Sequence, residues 1–292
     1  MNLSKLFNTK KVVYSFEIFP PKADSGVDTV YNTIEALGDL SPDYISVTYG
    51  AGGSVTENRT AELSSLVKSK LKIEPLAHLS CISASEEDID NILADLRSRN
   101  VSNVLALRGD PPRTGVTVKP LEERDFKYAT DLVAHIKEKG DFNVVGACYP
   151  EKHTEASSMD EDILHLKEKV DAGVGHLVTQ LFFDNGKFYD FMDKATSKGI
   201  NVPVTAGIMP VTSKSQIERM VNMCGATIPV DLMKIIDKYG DDPMSMRDAG
   251  IIYAAQQISD LIANGVKGVH LYTMNNPTVA RKITLLIENL IG

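Results

Sequence analysis

The sequence predicts an α/β chain folded as a single (β/α)8 barrel of the TIM type, with residues 1–292 forming one domain. Three observations predict this. Strand-like and helix-like segments alternate along the whole length. Eight such pairs fit into 292 residues, which suits a closed parallel barrel better than an open sheet. Polar side chains gather at the C-terminal ends of the strand segments, where barrels of this kind carry their sites. No change in composition and no low-complexity linker divides the chain.

The predicted strands are 12–18, 44–49, 75–81, 103–108, 143–149, 176–182, 203–209 and 267–272. Amphipathic helices fall between them. One starts at "SEEDIDNILADLRSR", where Ser85 and Asp88 have the spacing of a capped N-terminus. Side chains alternate between the two faces of a strand, so one parity faces the lumen and the other the helices. In the first strand Tyr14, Phe16 and Ile18 share one parity, and Val13, Ser15 and Glu17 the other. Glu17 is therefore expected to point inward, near the strand's C-terminal end. Ser46 and Thr48 in the second strand share a parity, as do His176, Val178 and Gln180 in the sixth. Arg108 lies in line with Val104 and Ala106. His78, Tyr149, His270 and Tyr272 complete the polar set.

Composition narrows the function. The formal net charge is −8, and no Lys/Arg-rich block marks a nucleic-acid or membrane-surface binder. The longest apolar runs are far short of a membrane span, and the N-terminus lacks an apolar signal core. The three cysteines, Cys81, Cys148 and Cys224, are far apart among apolar residues and read as reduced core residues of a cytoplasmic protein. No dinucleotide-fold fingerprint, P-loop or metal-ligand spacing occurs, so no metal is expected. The loop "LRGDPPRTG", 107–115, follows the fourth strand. It offers a cation, a close backbone approach and an acceptor at a strand end, and the connection that continues it is long.

"FEIFPPK", "VTYGAGG", "HLSC", "LALRGDPP", "YPEKH", "KVDAG…TQLFFD" and "HLYTMN" follow one another in this order. Together they resemble the methylenetetrahydrofolate reductase family in its short bacterial form, over essentially the whole chain. The resemblance implies a (β/α)8 barrel that binds FAD at the C-terminal ends of its strands, with no room for a C-terminal regulatory domain. It implies reduction of 5,10-methylenetetrahydrofolate to 5-methyltetrahydrofolate by a ping-pong mechanism. NADH or NADPH reduces the flavin and leaves, then folate enters. The expected partners are these small molecules, with no nucleic acid or membrane, and the protein is expected to be a homo-oligomer. A separate electron-donor subunit, used by some relatives, stays open.

By the same resemblance Glu17 is the general acid, and burial in an apolar strand raises a carboxyl pKa toward what that task needs. Asp110 is expected to contact the pterin and stabilise positive charge. Gln180 is expected to serve folate and nicotinamide in turn. Gln216 and Tyr272 complete the substrate set with Thr48. The flavin contacts implied are Thr48, Tyr49, Ala51, His78, Arg108, Gly109, Asp110, Tyr128, Ala129, Tyr149, His153, Ala156, Asp162, His165 and Lys169. The chain departs from the family pattern at His165, Glu168, Met220 and Asn276, positions that bear on flavin phosphate and folate-tail recognition. Two other functions compete: a cofactor-free barrel lyase or aldolase, and a non-catalytic folate- or flavin-binding subunit. A flavin spectrum argues against the first, and bleaching by a nicotinamide donor against the second.

Overall fold

The computed structural model describes residues 1–21, 27–49, 59–110 and 118–292. Ala51, expected at the flavin, lies outside the described residues. Eight parallel strands close into a barrel in sequential order. They are β1 (Val13–Ile18), β2 (Tyr44–Val47), β3 (Glu74–Ser80), β4 (Asn103–Leu107), β5 (Asn143–Cys148), β6 (His176–Thr179), β7 (Val204–Ile208) and β8 (Gly268–Tyr272). Each predicted strand is present, most of them one to three residues shorter. The chain leaves the sheet where polar side chains begin to serve the barrel mouth, as at Thr48, Arg108 and Gln180.

The parity expected from the sequence holds. Tyr14, Phe16 and Ile18 pack with the helices in the outer core. Val13, Tyr44, Leu76, Leu105, Val145 and Val178 fill the lumen. Each of the two layers removes apolar surface from water, and each fully buried aliphatic or aromatic side chain contributes about 1.5–3 kcal/mol.

The bottom of the barrel is closed by a short 3-10 turn, Leu3–Asn8. Leu3, Leu6 and Phe7 enter the lumen cluster. Polar groups fix the plug from beneath: Leu3 N–H donates to Asn103 Oδ1 (3.2 Å), and Ser4 Oγ donates to Asn143 Oδ1 (2.8 Å) and lies 2.9 Å from His176 Nδ1. With this end sealed, the C-terminal end is the open one.

The helices are α1 (Val27–Gly38), α2 (Arg59–Leu71), α3 (Glu86–Ser98), α4 (Ala129–Glu138), α5 (Met159–Asp171), α6 (Asn185–Ser197), α7 (Lys214–Cys224), α8 (Val230–Tyr239), α9 (Pro243–Ala263) and α10 (Pro277–Ile291). Local chemistry starts them where the loops end. Ser85 and Asp88 form the expected capping box at α3. Ser158, Asp184, Ser213, Asp242 and Asn276 accept backbone N–H bonds at the starts of α5, α6, α7, α9 and α10. Asn276, a departure from the family pattern, is thus a helix cap. Three helices, α7, α8 and α9, separate β7 from β8 where one is the rule. Among the described residues no helix is long and apolar enough to cross a membrane.

Candidate active site

At the open end a cavity of about 340 Å³ sinks between the strand termini. Glu17 lies at its floor, 7% exposed. Its main chain is fixed by β8, since Thr273 Oγ1 donates to Glu17 O (2.6 Å). The exit of β1 is pinned by Asn275, which accepts from Phe19 N–H and donates to Phe19 O, both at 2.9 Å. That asparagine bonds to the backbone as a neighbouring strand would.

Around the carboxylate stand groups from three strands. His78 Nε2 is 3.5 Å from Glu17 Oε2 yet makes no hydrogen bond. Burial pushes the His78 imidazole down to about 4, although Glu17 pulls the other way. Ser46 Oγ is 3.5 Å from Glu17 Oε2 and His270 Nε2 is 3.8 Å from it. Tyr272 lies across the mouth and donates to Thr179 O (2.6 Å). The ring occupies the space above Gly207, where an added Cβ would come within 2.8 Å of Tyr272 Oη.

The opposite wall is built by β4 to β6 and their loops. Gly109 has φ +87, and a Cβ there would lie 1.9 Å from Ser80 Oγ. Only glycine fits a backbone that turns this sharply against β3. Arg108 therefore leaves the strand sideways and meets Glu155 in a two-pronged ion pair of 2.5 and 2.8 Å. The guanidinium holds the Glu155 carboxyl below the usual range. Asp110 is exposed at the rim. Tyr149 and His153 meet edge to face, 4.8 Å between centroids. Gln180 holds its own oxygen on Leu181 N–H (2.8 Å), which leaves the NH2 group to donate.

Ten of the residues expected from the sequence line this one cavity: Glu17, Thr48, His78, Arg108, Gly109, Asp110, Tyr149, His153, Gln180 and Tyr272. The others do not. Tyr49 packs against the outer core, and Tyr128, 54% exposed, precedes α4 with Ala129 as its first residue. Asp162 accepts from His153 N–H (3.0 Å), so it shapes the loop that carries His153. Burial raises its pKa. Ala156 O accepts from Lys152 Nζ (2.7 Å) in the same loop. Lys169 sends its amine inward to Ala147 O (2.5 Å), beneath the cavity wall, and burial lowers its pKa. Gln216 closes back on Thr212 N–H (2.8 Å) at the start of α7. His165 and Glu168, two departures from the family pattern, pair with each other at 3.2 Å on the exposed face of α5.

Met220, the third departure, is in the lining with Met223 and Cys224. The sequence reading placed Cys224 in the core; it is half-buried, packs against the core cluster that holds Met209 and Val211, and also lines the cavity, and burial pushes its thiol up to about 11. The helical spacing of 220, 223 and 224 was the available signal. His135 is half-buried and meets Asp90 at 2.8 Å. Among the described residues no cluster of His, Cys, Asp and Glu could hold a metal.

A sequence model described as methylenetetrahydrofolate reductase matches residues 2–288. This chain belongs to the methylenetetrahydrofolate reductase family. It is 37% identical over 270 residues to the 5,10-methylenetetrahydrofolate reductase of Escherichia coli (strain K12), covering 92% of this chain and 88% of that one. It is also 37% identical over 276 residues to methylenetetrahydrofolate reductase (NADH) 1 of Arabidopsis thaliana. That alignment covers 91% of this chain and 46% of the plant protein, so the chain spans about half the length of the plant relative. Among solved structures, an uncharacterized Clostridium thermocellum protein described as binding two copies of 5-methyl-5,6,7,8-tetrahydrofolic acid superimposes with a TM-score of 0.70. It covers 99% of both chains at 15% identity, a likeness that concerns the fold. The family's reductases are flavin-dependent in general.

Proposed function

We propose that this protein reduces 5,10-methylenetetrahydrofolate to 5-methyltetrahydrofolate, with FAD as its cofactor and NADH or NADPH as donor. The observation that carries the reading is the buried carboxyl of Glu17 on the floor of a cavity whose rim bears Asp110 and Gln180.

The residues present suit a flavin. His78 has a buried, unpartnered ring nitrogen beside the cavity. Gly109 lets the backbone approach a ligand closely, Arg108 offers a cation for a phosphate, and Tyr149 and His153 make an aromatic wall. Thr48, His78, Arg108, Gly109, Asp110, Tyr149 and His153 would hold it. Tyr128 and Ala129 lie outside the cavity, at the start of α4. When bound, the flavin takes hydride from the nicotinamide and delivers it to the one-carbon unit.

The chain supplies the rest. The one-carbon unit bridges two folate nitrogens, and opening that ring requires a proton on the departing nitrogen. Glu17 is the proton donor at the cavity floor. The Asp110 carboxylate accepts from pterin N–H groups and offsets the positive charge that develops as the ring opens. Gln180 donates through its NH2 group to whichever ligand occupies the site.

Rapid mixing separates the two halves. FAD-loaded Glu17→Gln is expected to bleach with NADH or NADPH at close to the parental rate. It is expected to fail to reoxidise with methylenetetrahydrofolate, with a loss of at least about 10²–10⁴-fold, the usual worth of general acid catalysis. Wild type treated the same way yields 5-methyltetrahydrofolate. Reoxidation of the variant at the parental rate removes Glu17 as the acid, and wild type that neither binds flavin nor forms the product removes the function.

A further inference from the structure

One wall of the cavity is not built by the strands or the loops that directly follow them. Met220, Met223 and Cys224 reach it from α7, in the long connection between β7 and β8. Along its eleven residues α7 buries only Gln216 and Ile217, both in its first turn. Met223, near the other end, is 46% exposed. A helix with so few buried contacts is placed largely by what grips its ends.

The start of α7 is capped by Ser213, and Gln216 closes back on Thr212. The end turns at Gly225, φ +70, whose N–H returns to Val221 O (2.8 Å). Ala226 then enters the core with Leu181, Met209 and Leu232. The next residue, Thr227, is held by the loop after β5. Glu151 accepts the Thr227 N–H on both carboxylate oxygens (3.0 and 3.1 Å) and the hydroxyl on Oε2 (2.5 Å). Beside this contact the two segments lie close together, since a Cβ on Gly225 would be 3.6 Å from Thr154 Cγ2. One carboxylate thus joins segments 76 residues apart in the chain, and each of them lines the cavity.

Which side yields when this contact is removed follows from what else holds each. The loop after β5 has three further ties. Asp162 accepts from His153 N–H (3.0 Å), Lys152 Nζ donates to Ala156 O (2.7 Å), and Glu155 pairs with Arg108. The end of α7 has its own cap, which lies within the helix, and the single small side chain of Ala226. The loop therefore stays, with Tyr149 and His153 in place, and α7 moves with Met220, Met223 and Cys224.

We propose that Glu151 is a positioning residue: through Thr227 it latches α7 onto the loop after β5, and the latch sets the affinity of the cavity for folate. Its role in folate binding rests on the function proposed above; the latch itself does not. Two methionines make an adaptable apolar wall for a flat ring. Without the latch the wall is displaced in part of the molecules, and the apparent affinity falls by the fraction still competent. Folate at saturation draws the wall back, so the limiting rate survives.

The test compares wild type with Glu151→Ala, Thr227→Val, Thr227→Ser and the double variant Glu151→Ala/Thr227→Val. The first arm needs no ligand: alkylation by iodoacetamide of the protein as purified, read by mass spectrometry. Cys224 on α7 is half-buried, whereas Cys81 and Cys148 are each 1% exposed and serve as internal controls. The latch is solvent-exposed, so its loss in Glu151→Ala is expected to speed Cys224 labelling by a moderate factor, about 5- to 30-fold, with Cys81 and Cys148 unchanged. Thr227→Ser keeps the hydroxyl and is expected to match wild type. An unchanged Cys224 rate overturns the proposal, and so does faster labelling of all three thiols, which marks a loosened fold. The second arm is rapid mixing of the FAD-loaded, reduced proteins with methylenetetrahydrofolate. The folate concentration giving half the limiting reoxidation rate is expected to rise about 5- to 30-fold in Glu151→Ala, and less in Thr227→Val, which keeps the backbone N–H. The limiting rate and the FAD dissociation constant of the stripped protein are expected to stay within about twofold of wild type. The double variant is expected to be no weaker than Glu151→Ala alone, because both changes remove one contact. Additive losses, a fallen limiting rate or an equal weakening of FAD overturns the proposal. Wild type that folate does not reoxidise, with Cys224 still responding to Glu151→Ala, sinks the proposed function and leaves the latch standing.

Discussion

Asp110 shows how little can be read of a candidate site residue before the fold is known. In the sequence it is the third letter of "RGD", a string that alone reads as a tight turn with a surface ion pair. The structure puts it exposed on the rim of the cavity that holds Glu17, while its neighbour Arg108 is already engaged by Glu155. Asp110→Asn keeps size and shape and removes the charge. It is expected to bind FAD and to slow the folate step about 10²–10³-fold, the usual loss for one preorganised electrostatic partner. Unchanged folate turnover in rapid mixing takes Asp110 out of the catalytic set. Glu17 was legible from parity alone, because a strand of period two leaves a single choice of face. Lys169 and Gln216 were not legible. Both are polar residues on helices, and only the fold shows that an amine has turned in to Ala147 O and an amide back to Thr212 N–H.

At the scale of elements the strands were readable and the segment between β7 and β8 was not. Strands carry alternation, β-branched residues and sharp ends, all local signals. The three helices α7, α8 and α9 have ordinary helical patterns, and nothing local says that they share one connection. Their packing rests on close approach. On α9 a Cβ added at Gly250 would lie 1.7 Å from Val211 O, a backbone atom that cannot swing aside. Helix propensity alone makes Gly→Ala in a helix interior stabilising by about 0.5–1 kcal/mol. Overpacking costs about 1–3 kcal/mol, occasionally more. The contact wins, so Gly250→Ala is expected to lower the midpoint of urea unfolding. Because α7 brings Met220, Met223 and Cys224 to the cavity, folate affinity is expected to weaken as well. An unchanged or raised midpoint shows that α9 can move away from Val211 at no cost.

The whole molecule carries a cost that neither residues nor elements display singly. Its lumen holds imidazoles that burial keeps neutral: His176, pushed down to about 3, and His78, pushed down to about 4. In the unfolded chain a histidine takes up its proton near pH 6.5. Between that value and the depressed folded one, the unfolded state binds more protons, so stability falls as the pH drops. For His176 the loss begins below about 6.5 and continues toward about 3, at up to about 1.4 kcal/mol per pH unit. The carboxylates held low, such as Glu155 beside Arg108 and Asp88 in its capping box, lose their contribution only below the ordinary carboxylate range, so the two effects separate. His176 is the cleaner probe, because it touches the Ser4 plug and lies away from the cavity lining. His176→Gln cannot titrate and retains a donor for Ser4 Oγ, whose own proton goes to Asn143 Oδ1. Wild type is expected to lose about 2 kcal/mol from this group between pH 7 and pH 5, since pH 5 lies about 1.5 units below the unfolded value. The variant, less stable at pH 7 through its poorer fit, is expected to show a shallower fall over the same interval. Urea unfolding at both pH values, at constant FAD so that ligand linkage does not differ, decides it. Equal slopes for the two proteins mean that His176 is protonated inside the folded barrel and that the lumen tolerates the charge.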